Sequence, residues 1–159
     1  MTTPGTVPEF QIPNPRVHKS KRLLWAIGGV LALLILWQCG TALWQGRILS
    51  NDAVAHFHDQ LNQGRYDELV AESDDAFRAS GTHEKLVNFF TAVHTKLGDA
   101  SKSSMTKINV NATTNGTFLT TAYSTMFTSG EATETFTWIK KNGTIKLYNY
   151  NVNSSALLN

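Results

Sequence analysis

At 159 residues, the chain has room for one membrane segment and one domain of about a hundred residues, but not for two hydrophobic cores. Its formal charge of +2 arises within residues 1–50, which balance to +4, whereas residues 51–159 hold nine Lys or Arg against eleven Asp or Glu and balance to −2. A slightly acidic domain argues against a nucleic-acid partner held through phosphate contacts, because such binding needs a basic surface.

The N-terminal region is predicted to be a tail followed by a membrane anchor. Residues 1–15 hold all four prolines and lack an apolar period, which predicts a disordered cytoplasmic tail. Residues 16–44 combine a basic flank with the uncharged stretch 23–44. These 22 residues would reach about 33 Å as a helix, which is enough to cross a hydrocarbon core of about 30 Å.

Three fates are open to this stretch. It can remain as a single transmembrane helix, which we favour, or be cleaved near Gly40 and Ala42 as a signal peptide. It can also be lipidated at Cys39, since Leu36 stands three residues earlier, although the bulky residues between them depart from the bacterial lipoprotein signal. In every case the basic N-terminal flank stays in the cytoplasm. We therefore expect a protein of the cytoplasmic membrane with its C-terminal domain in the periplasm or outside the cell.

The first half of the exported domain is predicted to be helical. A linker, 45–50, leads into a domain over 51–154, and 155–159 form a C-terminal tail. Ser50 or Asn51 is predicted to cap a helix that ends at Gly64, and a short helical turn follows at 66–71. Thr82 is predicted to cap a longer helix that closes at Gly98 and carries one apolar stripe, formed by Leu86, Phe89, Phe90, Val93 and Leu97.

The second half is predicted to be a sheet of four consecutive strands. Asn115-Gly116, Ser129-Gly130 and Asn142-Gly143 each fit a two-residue hairpin turn between runs rich in Thr, Tyr, Phe, Ile and Val. The resulting registers place Ile108 opposite Tyr123, Tyr123 opposite Phe136, and Trp138 opposite Leu147. One face is then apolar, with Ile108, Val110, Leu119, Tyr123, Phe127, Phe136, Trp138, Ile145 and Leu147. The predicted fold is α+β, with a transmembrane helix followed by helices on one face of a curved, four-stranded antiparallel meander.

The order of the predicted helices and strands is similar to that of a known superfamily. Two opening helices (FHDQLNQGRYDELVAE), a short irregular piece (SDDAFRAS), a long helix (HEKLVNFFTAVHTKLG) and consecutive strands resemble the nuclear-transport-factor-2-like, or cystatin-like, α+β superfamily. The same phrases, with ETFTW and YNYNVNS, look like small bacterial membrane-anchored or lipoprotein-type domains of unknown function. The resemblance covers about residues 50–154 and implies a fold rather than an activity, because members include enzymes, ligand binders and membrane-anchored modules.

The candidate site residues fall on the two faces of the predicted sheet. Glu134 is placed on the apolar face, and a ligand pocket between sheet and helices would use Tyr123, Thr125, Glu134, Trp138, Asn149 and Asn151. The alternative, which we favour, is that Glu134 is solvated where the sheet extends past the helices, because buried carboxylates are rare unless paired. The exposed face suits a protein partner or a second copy of the chain, through Thr135, Thr137, Tyr148 and Tyr150.

No constellation in the sequence predicts a reaction, a cofactor or a metal. His56 and His58 are two residues apart on a helix and point about 200° apart, so they are interpreted as surface or core-edge histidines. Two hypotheses remain. The first is a non-catalytic, membrane-anchored interaction or accessory domain. The second is a ligand-binding or enzymatic domain with its pocket between sheet and helices.

Overall fold

The structure is a computed structural model that describes the backbone of residues 20–158 and the side chains of residues 27–30 and 44–157. Within this described part, no helix meets the length and hydropathy that a membrane crossing requires. The predicted tail lies outside it, as do the side chain of Cys39 and most other side chains of the predicted anchor. Residues 41–159 form one compact unit, separate from residues 1–40.

Five helical segments and four strands follow one another within residues 20–158. The helices are α1 (Ser20–Asn62), α2 (Tyr66–Glu72), α3 (Asp75–Arg78), α4 (His83–Leu97) and a C-terminal 3₁₀ helix (Ser155–Leu158). The strands are β1 (Ala100–Thr113), β2 (Gly116–Phe127), β3 (Gly130–Lys141) and β4 (Thr144–Asn153). They form one antiparallel sheet in the order β1-β2-β3-β4. The predicted α+β class and four-stranded meander are therefore confirmed.

The helix boundaries follow local sequence signals except at the start of the domain. Thr82 caps α4 by accepting a hydrogen bond from the backbone N–H of Lys85, and Gly64 and Gly98 follow helix ends with positive φ angles of 68° and 75°. The prediction of a cap at Ser50 or Asn51 is wrong, because α1 is helical through 45–50. Ser50 is fully buried and bonds the Thr121 hydroxyl at 2.9 Å, so its side chain joins α1 to the sheet.

One hydrophobic core joins the helices to a single face of the sheet, here called the inner face. Val54, Phe57 and Leu61 from α1 enter this core. The predicted stripe of α4 contributes Leu86, Phe90, Val93 and Leu97, whereas Phe89 is 39% exposed and does not belong to it. The predicted apolar face is confirmed for Leu119, Tyr123, Phe127, Phe136, Trp138 and Leu147, which are buried in the same core, with Val110 and Ile145 packed against it. Ile108, the remaining member of the predicted face, is half-buried.

Two of the three predicted registers are shifted by two residues. The first two hairpins turn at 114–115 and 128–129, so that Ile108 and Phe136 both lie opposite Thr121, and Tyr123 lies opposite Glu134. The third hairpin, at Asn142-Gly143, has the predicted register. A shift of two residues preserves the alternation of side chains, which is why the apolar face survives although its pairings change.

A β-bulge in the β3–β4 pairing overturns the prediction for the end of β4. The register shifts by one residue between Thr137 and Trp138, so Phe136 lies opposite Tyr150 rather than Asn149. A bulge inserts one extra residue into a strand and exchanges the faces beyond it. Tyr150 consequently turns into the core, where it is 6% exposed, and Asn149 and Asn151 are exposed.

Gly116 and Gly130 each open a strand directly after a two-residue turn, with φ angles of 133° and 130°. A Cβ atom at Gly116 would lie 2.8 Å from the carbonyl oxygen of Lys140, whereas a Cβ at Gly130 would meet nothing within 4 Å. Both glycines therefore relieve the same backbone strain, but only Gly116 permits a close cross-strand approach.

This difference predicts unequal effects of alanine at the two positions. Gly130→Ala should lower the free energy of unfolding by about 1–2 kcal/mol through backbone strain alone. Gly116→Ala should cost about 1–2 kcal/mol more, because the added methyl group also displaces the Lys140 carbonyl. Urea unfolding of both variants measures the difference, and equal losses would contradict this account of Gly116.

Candidate functional site

Glu134 lies at the centre of a buried polar network beneath the helices. Its side chain is fully buried on the inner face, so the interpretation that it is solvated at the end of the sheet is wrong. Oε2 is 2.8 Å from Nε2 of His58 on α1, and Oε1 accepts a 2.7 Å hydrogen bond from the Tyr150 hydroxyl on β4. The carboxylate is thus paired on both oxygens, as burial of a charged group requires.

The network continues from His58 to β1 and β2. Nδ1 of His58 is 3.2 Å from the Ser103 hydroxyl, which is 3.0 Å from the Thr125 hydroxyl. A carboxylate oxygen only accepts hydrogen bonds, so Nε2 of His58 donates to Glu134, and Nδ1 faces the Ser103 hydroxyl. Both ring nitrogens are engaged, and the imidazole is held in one orientation.

Tyr150 stays protonated well into the alkaline range. Its burial, and secondarily the nearby Glu134 carboxylate, raises the pKa of the Tyr150 phenol well above its ordinary value. The neutral hydroxyl therefore remains a donor to Glu134. The Tyr150 ring also packs in the core, because its centroid lies 4.9 Å from that of Phe57 and 5.0 Å from that of Phe136.

A cavity of about 560 Å³ opens next to this network and is here called the α1–β1 cleft. It is lined by residues between Arg47 and Asn62 of α1, by Ala100 to Ser103 and Met105 of β1, and by Tyr123 of β2. His58 and Ser103 contribute to its wall, which places the network within reach of a molecule in the cleft. A volume of this size lies in the range of small-molecule sites.

The charged residues of the cleft leave an excess of positive charge. Arg47 and Lys102 line it and make no ion pair with any residue that the structure describes. The one acidic residue of the lining, Asp59, forms an ion pair with the guanidinium of Arg65 at 2.8 Å. An anion entering the cleft would meet two cations and a polar histidine edge.

Tyr123 closes the end of the cleft near the start of the domain. Its hydroxyl donates to Oδ1 of Asn51 at 2.8 Å and also lies 3.2 Å from the Ser50 hydroxyl. Burial raises the pKa of the Tyr123 phenol, while the hydrogen bond with Ser50 acts in the opposite direction. This hydroxyl fixes the position of α1 on the sheet and presents a polar group to the cleft.

The structure does not bring together the six residues predicted to line one pocket. Tyr123 lines the cleft, and Thr125 and Glu134 are fully buried behind it. Trp138 lines a different cavity, between α1, α2 and the β3–β4 hairpin. Asn149 and Asn151 are exposed on the opposite, outer face of the sheet, because the bulge displaces them, and their placement in the pocket is wrong.

Three of the four residues predicted to form the interaction face lie on the outer face of the sheet. Thr135 and Thr137 are half-buried on the outer face, and Tyr148 is 37% exposed there, with its ring edge-on to Phe118 at 5.1 Å. Tyr150 belongs to the core instead, so its assignment to the exposed face is wrong.

Sequence reasoning missed His58, Ser103, Arg47 and Lys102 as site residues. A signal for His58 was present, because it stands four residues after Val54 and three before Leu61, on the apolar stripe of α1. Its core-edge location is confirmed by an exposure of 8%. Among the described residues, no three His, Cys, Asp or Glu side chains are grouped so that they could hold a metal ion.

No protein-family model matches the sequence, and no curated protein matches it.

The network predicts different roles for two tyrosines that are two residues apart. Tyr150→Phe keeps the ring but leaves one oxygen of the buried Glu134 carboxylate without a donor, which should lower the free energy of unfolding by about 2 kcal/mol. Tyr148→Phe, the matched control on the outer face, should change it by less than about 0.5 kcal/mol. Denaturant unfolding of both variants tests this, and comparable small effects would show that the Tyr150 hydroxyl does not stabilise Glu134.

Proposed function

We propose that this chain is a membrane-tethered extracytoplasmic accessory module that binds a small anionic ligand in the α1–β1 cleft. The observation that carries the proposal is the cleft itself: two cations without ion-pair partners among the described residues border a 560 Å³ cavity whose wall includes an oriented histidine. Pockets with a few fixed polar groups are the usual form of a small-ligand site.

The charge pattern supports an anion as ligand. Guanidinium and ammonium groups pair with carboxylate and phosphate groups, and a partly enclosed site strengthens these pairs relative to water. Asp59 would otherwise repel an anion, but Arg65 screens it. The wall behind these cations is preorganised, because the orientation of His58 is set by Ser103 and Glu134 rather than by the ligand.

We propose binding rather than a reaction. Ser103, His58 and Glu134 stand in the hydroxyl, imidazole and carboxylate order of an acyl-transfer triad. The Ser103 hydroxyl also lies 3.0 Å from the Thr125 hydroxyl, so it is held by two neighbours. This arrangement favours a fixed polar wall over an activated nucleophile.

The tether and the superfamily remain part of the proposal. The tether rests on the uncharged stretch 23–44 behind a basic flank, which is the pattern of a segment with a cytoplasmic N-terminus. Membership of the nuclear-transport-factor-2-like superfamily is supported by the order of helices before a four-stranded antiparallel meander. A pocket between helix and sheet suits that kind of fold.

A second candidate function is protein contact through the outer face. The edge-on pair of Phe118 and Tyr148, next to the half-buried Thr135 and Thr137, offers an amphipathic surface to a partner protein or a second copy of the chain. A domain with this role alone would bind no small anion in the cleft, so the ligand experiment separates the two candidates.

Ligand binding should stabilise the folded domain. We expect a member of a panel of small carboxylates and phosphate esters to raise the unfolding midpoint of the full-length chain in detergent by about 4 °C or more at about ten times its Kd. Lys102→Met should abolish most of this shift, whereas Lys107→Met, an exposed lysine on the same strand outside the cleft, should preserve it. No shift with any anion, or an equal shift in both variants, would contradict the proposal.

The proposed location predicts opposite protease sensitivity at the two ends of the chain. In intact spheroplasts, a tag after Asn159 should be removed by added protease, and a tag before Met1 should be removed only after lysis. A C-terminal tag that survives until lysis would place the domain in the cytoplasm and refute the location.

A further inference from the structure

A second cavity, of about 140 Å³, lies on the other flank of α1 and is here called the α1–β4 pocket. It is bordered by α1, α2 and the β3–β4 hairpin, and shares no residue with the α1–β1 cleft. Its lining includes apolar side chains such as Phe57 and Ile145 together with several polar ones. It therefore combines an apolar wall with hydrogen-bonding groups, as small-ligand sites do.

Two buried donors on the lining of this pocket have no partner among the residues that the structure describes. Nε2 of Gln60 and Nε1 of Trp138 are both shielded from solvent and make no hydrogen bond within the protein, and their side chains are 1% and 4% exposed. Buried N–H groups in folded proteins are nearly always paired. Both groups belong to side chains that line one cavity, where an acceptor would supply the missing partner.

We propose that the α1–β4 pocket binds a small carbonyl compound, an amide or a carboxylate, whose oxygen accepts hydrogen bonds from Gln60 and Trp138. A carbonyl oxygen has two lone pairs and no proton, so one such atom can satisfy both donors. Water accepts two bonds as well but must find acceptors for its own two hydrogens, whereas a carbonyl oxygen needs none. The apolar wall suits the alkyl part of a ligand better than it suits water.

The rim of the pocket is compatible with both forms of the ligand. Lys146 lines it and makes no ion pair with a described residue, whereas Glu72 is 2.9 Å from Nε2 of His56. The volume corresponds to about four or five water molecules at about 30 Å³ each. The pocket thus takes a molecule the size of acetate or N-methylacetamide, or the carbonyl end of a longer one.

The indole N–H of Trp138 reports directly on this site. The chain contains four tryptophans, so an ¹⁵N-labelled full-length sample in detergent gives few indole signals, and Trp138→Phe identifies the one that belongs to Trp138. We expect N-methylacetamide, acetate or both to move this signal to a saturating position, while the signals of Trp25, Trp37 and Trp44 do not saturate with it. Saturation with one compound only identifies the ligand as amide or carboxylate.

A matched pair of variants on α1 assigns the effect to Gln60. Gln60→Leu keeps a similar volume and removes one donor, so it should weaken the apparent affinity by about tenfold or more. Gln63→Leu, an exposed position that bonds only Asp59, should leave the affinity unchanged. The unfolding midpoints of both variants, measured in parallel, establish that they are folded.

Absence of a saturable Trp138 shift with either compound would overturn the proposal, and so would equal affinities in the two variants. Neither result would bear on the α1–β1 cleft, because Gln60 and Trp138 lie outside it. Conversely, a negative result in the anion experiment with Lys102→Met would not contradict the proposal for the α1–β4 pocket. The two proposed sites are therefore tested by separate measurements.

Discussion

The structure depends on one buried carboxylate and the groups that pair with it. Glu134 stands on the central strand β3, fully removed from solvent, where an unpaired charge would cost several kcal/mol. His58 from α1 and Tyr150 from β4 satisfy its two oxygens, so three separate elements must be in register for the charge to be tolerated. This requirement selects one position of α1 on the sheet among the many that apolar contacts alone would accept, since hydrophobic packing has little directional preference.

The bulge between Thr137 and Trp138 makes this pairing available. Without the shift of one residue, strict alternation would place Tyr150 on the outer face and Asn149 on the inner face. The bulge thus exchanges an amide for a phenol next to Glu134, and it also brings the Tyr150 ring against Phe57 and Phe136. A local irregularity in one strand thereby decides both the chemistry and the packing at the centre of the domain.

The same helix that carries His58 also separates the two candidate sites. Its core-facing residues, Val54, Phe57 and Leu61, hold it against the sheet, and its two flanks face different cavities. One flank presents a wide cleft whose cations form no ion pair within the described part of the chain, and the other presents a narrow pocket whose N–H donors have no acceptor there. The contact between α1 and the sheet leaves a cavity on each flank of the helix. The polar groups that line each cavity determine which ligands it can bind.

The sequence by itself determined the α+β class, the number and order of the strands, the cap of α4, the glycine stops of the helices and the apolar face of the sheet. These features follow from local turn and capping chemistry and from side-chain periods, which a shift of two residues does not disturb. Only the tertiary structure decided the first two hairpin registers, the burial of Glu134, the side of the sheet on which Tyr150 lies, and the meeting of His58 with Ser103. Each of these depends on contacts between residues distant in the chain. The bulge that turns Tyr150 inward adds one residue to the β3–β4 pairing at a position that turn signals and side-chain periods do not indicate.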